Sequence, residues 1–74
     1  MSRCTVFGAG RAVLTEDVVA GALDEINRAH PTWKARVRTE GKDSVTFEGS
    51  GVQQEFVDAF RKQFPRATVK DSDE

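Results

Sequence analysis

Leu23-Asp24-Glu25-Ile26-Asn27-Arg28-Ala29-His30-Pro31 is answered further along the chain by Val57-Asp58-Ala59-Phe60-Arg61-Lys62-Gln63-Phe64-Pro65. Apolar residues fall on apolar residues, Asp24 on Asp58, Arg28 on Lys62 and Pro31 on Pro65. The correspondence continues past the prolines, with Trp33 and Ala35 opposite Ala67 and Val69. In each copy a helical spacing of apolar residues ends at the proline and gives way to alternation, the change of period that marks a helix followed by a strand. Each copy therefore reads strand, helix, strand, and two in tandem imply one compact fold.

Upstream of the first copy, Arg3 to Phe7 is a β-prone run that ends at Gly8-Ala9-Gly10. Thr15 is placed to cap a helix, because its hydroxyl can accept a free backbone N–H, and Glu16 and Asp17 suit the positive first turn. Val19, Leu23 and Ile26 follow at helical spacing, with Ala22 beside them. Between the copies, Trp33, Ala35 and Val37 alternate with Lys34, Arg36 and Arg38. Gly41-Lys42-Asp43 turns the chain, and Val45 and Phe47 alternate with Ser44, Thr46 and Glu48. Period-2 alternation gives a strand one dry face, so residues 33–48 read as a hairpin. Ser50 and Gln53 have the spacing of a capping box for the second helix, whose apolar stripe is Val52, Phe56, Ala59, Phe60 and Phe64. After Pro65, Ala67 and Val69 alternate with Arg66, Thr68 and Lys70 in a last strand.

The order β-α-β-β-α-β resembles the ferredoxin-like α/β plait, an α+β fold in which two helices cover one face of a four-stranded antiparallel sheet. The resemblance covers residues 3–70 and is one of topology. It implies one open sheet face, and because this superfold hosts many functions it assigns none.

Composition narrows the rest. A chain of 74 residues makes one domain, here residues 1–70, with Asp71-Ser72-Asp73-Glu74 as an acidic, disordered tail. A domain this small buries only about 60% of the surface its unfolded chain exposes, which leaves little room for a deep pocket. Five Phe and one Trp are enough to seed its core. A single cysteine allows no internal disulfide, and the chain shows neither a membrane-length apolar run nor a signal-peptide apolar region at Met1-Ser2-Arg3-Cys4, so a cytoplasmic location is expected. The net charge of −1 is unlike that of a typical nucleic-acid binder.

The charges are nonetheless segregated. If the apolar strand positions face the helices, Lys34, Arg36, Arg38, Arg66 and Lys70 face outward with one anion, Glu48. The acids gather on the helices: Glu16, Asp17, Asp24 and Glu25 on the first, Glu55 and Asp58 on the second. A basic face attracts anionic partners. The first strand adds an apolar patch, either Phe7 or Cys4 with Val6, depending on which set faces outward, and the sequence allows both phases. The plait superfold includes the RNA-recognition motif, which stacks bases on aromatics of its two central strands. Here the third strand presents Ser44, Thr46 and Glu48 and no aromatic.

Gly8, Gly10 and Arg11 form a possible anion loop between a strand and a helix, where backbone N–H groups can wrap a phosphate. This is similar to the phosphate loop of the acylphosphatases, whose arginine Arg11 would match; Asn27, the sole asparagine, lies on the first helix and does not match that family's catalytic asparagine. His30 is opposite Phe64 in the echo and reads as a partly buried helix-end residue, and Cys4 as a small hydrophobe. One His and one Cys are too few for a metal site, and no catalytic residue or cofactor is expected.

The expectation is a non-enzymatic binding module that docks on a larger protein or nucleoprotein assembly, as an adaptor or small inhibitor, through Lys34, Arg36, Arg38, Arg66, Lys70 and Phe7. Small motif-free chains are common among phage anti-defence and anti-CRISPR inhibitors, and the resemblance in size and composition implies that role as one possibility. The acidic helical face is the other possible contact surface. The alternative function is single-stranded RNA or DNA binding on the basic sheet. A monomer is expected, since five like charges per face oppose face-to-face pairing, with a dimer as the alternative.

Overall fold

Thr15 caps the first helix as its position demands: its hydroxyl accepts the Val18 N–H at 3.2 Å. The computed structural model describes residues 1–8 and 14–72. Its elements are β1 (Ser2–Phe7), α1 (Glu16–Ala29), β2 (Arg36–Glu40), β3 (Ser44–Gly49), α2 (Gln53–Gln63) and β4 (Thr68–Asp71). The strands form one antiparallel sheet in the order β2-β3-β1-β4. Cys4, Val6, Val45, Phe47 and Val69 point to one side of it, where they are buried with Val19, Ala22 and Ile26 of α1 and Phe56, Val57 and Phe60 of α2. Among the described residues no element covers the other side. This is an α+β fold that follows the plait in outline.

The register of β1 against β3, from Ser2 opposite Gly49 to Phe7 opposite Ser44, decides the phase left open above. Cys4 and Val6 are buried, and Phe7 is on the open side and 39% exposed. Aromatic packing dominates the core. Phe47 stacks on Phe60 with centroids 4.4 Å apart, Phe60 meets Phe56 at 4.9 Å, and Phe56 meets Trp33 at 5.5 Å. Such pairs add to the gain from area burial alone.

The echoed segments finish with one shared device. The His30 N–H donates to the Ile26 carbonyl at 2.8 Å, and the Phe64 N–H to the Phe60 carbonyl at 3.0 Å. One step on, the Trp33 N–H donates to His30 at 3.0 Å and the Ala67 N–H to Phe64 at 3.1 Å. The two C-cap residues have nearly the same backbone angles, φ −133°, ψ 71° and φ −125°, ψ 66°. The repeat in sequence is thus a repeat in backbone geometry at the two helix ends, and it stops at Lys34, whose φ is 52° while its counterpart Thr68 is in a strand.

Several expectations need correction. The second strand begins at Arg36, and Trp33 and Ala35 are buried in the connection before it. Lys34 has φ 52°, which breaks the alternation. Ala35 is tied to α1 instead: its N–H donates to Asn27 Oδ1 at 2.8 Å and its carbonyl accepts from Asn27 Nδ2 at 3.0 Å. A register shift between Val37 and Thr39 then bulges β2 at Arg38. The capping box is absent. Val52 is the N-cap of α2, makes no side-chain cap bond and is 61% exposed, while Gln53 reaches across to β1. The last strand starts at Thr68, so Arg66 and Ala67 precede it. It ends at Asp71, opposite Cys4, so the first residue assigned to the acidic tail belongs to the sheet. Asp73 and Glu74 lie outside the described residues.

Candidate functional site

The open sheet face is where sequence and structure together bring chemistry-bearing side chains into one place. Alternation sends Arg3, Thr5 and Phe7 outward from β1, and Ser44, Thr46 and Glu48 outward from β3. These central strands are flanked by Arg36, Arg38 and Thr39 of β2 and by Thr68 and Lys70 of β4. The bulge matters, because the extra residue it inserts is Arg38 and the strand's twist increases there.

Glu48 organises the basic side chains. It pairs across the strands with Arg3 on one side and Arg36 on the other. Arg36 holds Oε2 with both Nε and an Nη at 2.7 Å, a two-pronged charge-assisted contact. Nε of Arg38 is 3.4 Å from Oε1 and Nε of Arg3 is 3.9 Å from it. The Glu48 side chain is only 12% exposed, whereas that of Arg36 is 66% exposed. One mostly buried carboxylate therefore orders three guanidinium groups and leaves N–H donors of Arg36 facing solvent.

The backbone beneath the cluster is held from the helix side. The Arg3 N–H donates to Gln53 Oε1 at 2.9 Å, and the Gln53 amide donates back to the Arg3 carbonyl. The Ser2 hydroxyl donates to the Gly51 carbonyl at 2.7 Å. Among the described residues Arg3 Nε is buried without a hydrogen-bond partner, and Glu48 is the carboxylate paired with it.

Beside the cluster lies a shallow basin of about 400 Å³. Thr5, Phe7 and Thr46 floor it, Arg38 and Thr39 wall the β2 side, and Lys70, Asp71 and Ser72 close the β4 side. Thr5 and Thr46 hydroxyls are bonded at 3.1 Å, and Lys70 Nζ stands 5.8 Å from the Phe7 ring centre, within cation–π range.

Of the sequence-derived set, Arg36, Arg38, Lys70 and Phe7 are on this face. Lys34 is in the connection before β2. Arg66 follows α2 and borders a separate apolar hollow with Leu14, Val18 and Phe64. Neither lies on a sheet strand as expected. Arg3 joins the face although residue type alone did not single it out; the phase of the first strand, once settled, would have found it. Gly10 and Arg11 of the suggested anion loop lie outside the described residues, and the Gly8 N–H is donated to the Asp43 carbonyl at 2.7 Å.

The other candidates have structural surroundings. Burial, and secondarily the charge of Asp71, pushes the Cys4 thiol up to about 12, which keeps it protonated and unreactive. His30 stacks flat on Trp33 with ring centres 3.7 Å apart. Among the described residues no three His, Cys, Asp or Glu side chains could together hold a metal ion, and no helix is long and apolar enough to cross a membrane. The helix acids Glu16, Asp17, Asp24, Glu25, Glu55 and Asp58 are all exposed. No protein-family model matches the chain, and comparison with curated proteins and with solved structures found no match.

Proposed function

We propose that the protein is a non-catalytic docking module, an adaptor or small inhibitor, that seats its open sheet face on an acidic patch of a larger protein. The observation that carries this reading is the exposed Phe7 beside guanidinium groups ordered by Glu48. Aromatic and arginine side chains are the ones that protein interfaces favour, and ordering them in advance reduces the entropy lost on binding. Among the described residues the face holds Arg3, Arg36, Arg38 and Lys70 against Glu48 and Asp71, a cationic excess that suits an anionic partner. Phe7 stands alone as an aromatic there, with Thr5 and Thr46 where a base-stacking sheet would carry rings, and this favours a protein over a nucleic acid. The anti-defence role rests on size and composition, and no residue of the face adds to it.

The test uses the chain with Arg36 and Arg38 both replaced by glutamine, and a second variant with Asp24 and Glu25 replaced by alanine. Nuclease-treated host lysate should yield a protein partner to the wild type and to the helix variant, but not to the arginine variant. Loss of capture in the helix variant alone would move the contact to the acidic face. Micromolar binding of single-stranded RNA or DNA at near-physiological salt, abolished with the two arginines, would make the protein a nucleic-acid binder.

A further inference from the structure

The docking reading leaves open what the face grips, and the arrangement of Arg38, Phe7 and Lys70 narrows it. We propose, on the basis of that reading, that the face takes an extended acidic segment of its partner in which an apolar side chain lies between two carboxylates, each two residues away.

Arg38 belongs both to the cluster around Glu48 and to the wall of the basin. Its Nε stands 3.4 Å from Glu48, a looser contact than the 2.7 Å pair made by Arg36, and its side chain is more exposed than that of Arg3, so its fork can turn to a second carboxylate. Across the basin Lys70 supplies a point charge above the Phe7 ring. The two cations come from the two edge strands of the sheet, with β3 and β1 between them. Neighbouring strands lie about 4.8 Å apart, so three spacings put these backbones about 14 Å from each other. An extended segment rises about 3.3 Å per residue, so side chains four residues apart leave the same side of it about 13 Å from one another, with the residue midway also on that side. A segment laid along the row Arg38–Thr46–Thr5–Lys70 thus brings one carboxylate to Arg38, one to Lys70 and the middle side chain over the Thr46–Thr5 pair, with the Phe7 ring as the apolar wall beside it. A phosphate chain satisfies the cations but has no apolar side chain to set against Phe7.

The probe is a blocked pentapeptide, glutamate–serine–leucine–serine–glutamate, titrated into the isotope-labelled full chain while the arginine side-chain N–H and backbone amide signals are followed by NMR. Controls are the same peptide with glutamine for both glutamates, a blocked glutamate–leucine–glutamate, and a short oligothymidylate. The acidic pentapeptide should shift the Arg38, Arg36 and Phe7 signals, and both peptide controls should do so far less. Arg38→Lys keeps the charge but loses the fork, and should weaken binding about tenfold; Phe7→Ala should weaken it by a similar factor. Equal shifts from the glutamine peptide or from the shorter acidic one, or none on this face from any peptide, would overturn the inference. If capture of a protein still depends on Arg36 and Arg38 in that case, docking stands and only the segment chemistry falls. Tighter binding of the oligothymidylate at the same signals would sink both.

Discussion

Glu48 and Cys4 are both withdrawn from water, and each ties a local environment to a measurable property. Glu48→Gln keeps the shape of the side chain and removes the charge that Arg3, Arg36 and Arg38 share. Arg3, whose Nε already lacks a hydrogen bond, loses its counter-charge, and urea unfolding should show a loss of about 1–2 kcal/mol. The same variant should elute from heparin at higher salt than the wild type, because the face is left with uncompensated cations. Unchanged stability would mean that Glu48 does not order the cluster. Cys4 offers a test by pH. Its thiol is raised from 9.0 to about 12 in the folded chain, so below pH 9 both folded and unfolded states hold the proton and the group has no effect on stability. Above that the unfolded chain releases the proton while the folded one keeps it, so native stability should fall as the pH rises from about 9 towards 12. A Cys4→Ala chain should lack this part of the alkaline loss, and a thiol reagent at neutral pH should label wild type only as fast as it unfolds.

Among the elements, α2 carries the core and its entry carries the tightest backbone constraint. Phe60 is fully buried between Phe47 and Phe56. Phe60→Ala should cost about 3–5 kcal/mol, enough to unfold a domain of this size, and a melting temperature equal to wild type would refute this account of the packing. Gly51, just before α2, has φ 113°, and a Cβ there would lie 2.5 Å from Trp33 Nε1. Gly51→Ala should therefore destabilise by more than about 1 kcal/mol through backbone strain and contact with a buried ring, read from the same unfolding curve. The misreading at this corner has a physical origin. Ser50 and Gln53 have capping-box spacing, but the Gln53 amide finds both backbone groups of Arg3, and a side chain so engaged has none left for the helix end. Likewise Trp33, Ala35 and Val37 alternate as a strand would, yet Asn27 takes the backbone of Ala35 and Lys34 turns to positive φ.

Over the molecule as a whole, the open sheet carries Arg3, Arg36, Arg38 and Lys70, while the helices behind it carry six acids together with Arg28, Arg61 and Lys62; the sheet cluster is predicted to matter for binding and little for folding. Replacing Arg36 and Arg38 by glutamine should change stability by no more than about 1 kcal/mol, since both arginines are partly exposed, glutamine keeps an N–H donor and Arg3 stays beside Glu48. A larger loss, measured by thermal unfolding, would make the cluster a structural device. The order of elements, the helical stripes apart from Val52, the proline-ended echo and the burial of Phe47, Phe56 and Phe60 were legible in the sequence, because they depend on period and residue type within short windows. Arg36, Arg38, Lys70 and Phe7 could be named as candidates on the same basis, although Phe7 had two possible facings. Only the tertiary structure decided that Phe7 faces outward, that Arg3 joins the cluster, that Arg66 and Lys34 leave it, and that Glu48 binds the arginines together. These are matters of cross-strand register and of contacts between residues far apart in the chain; a one-residue slip reverses a strand's facing, and no local window of sequence contains the partner that sets it.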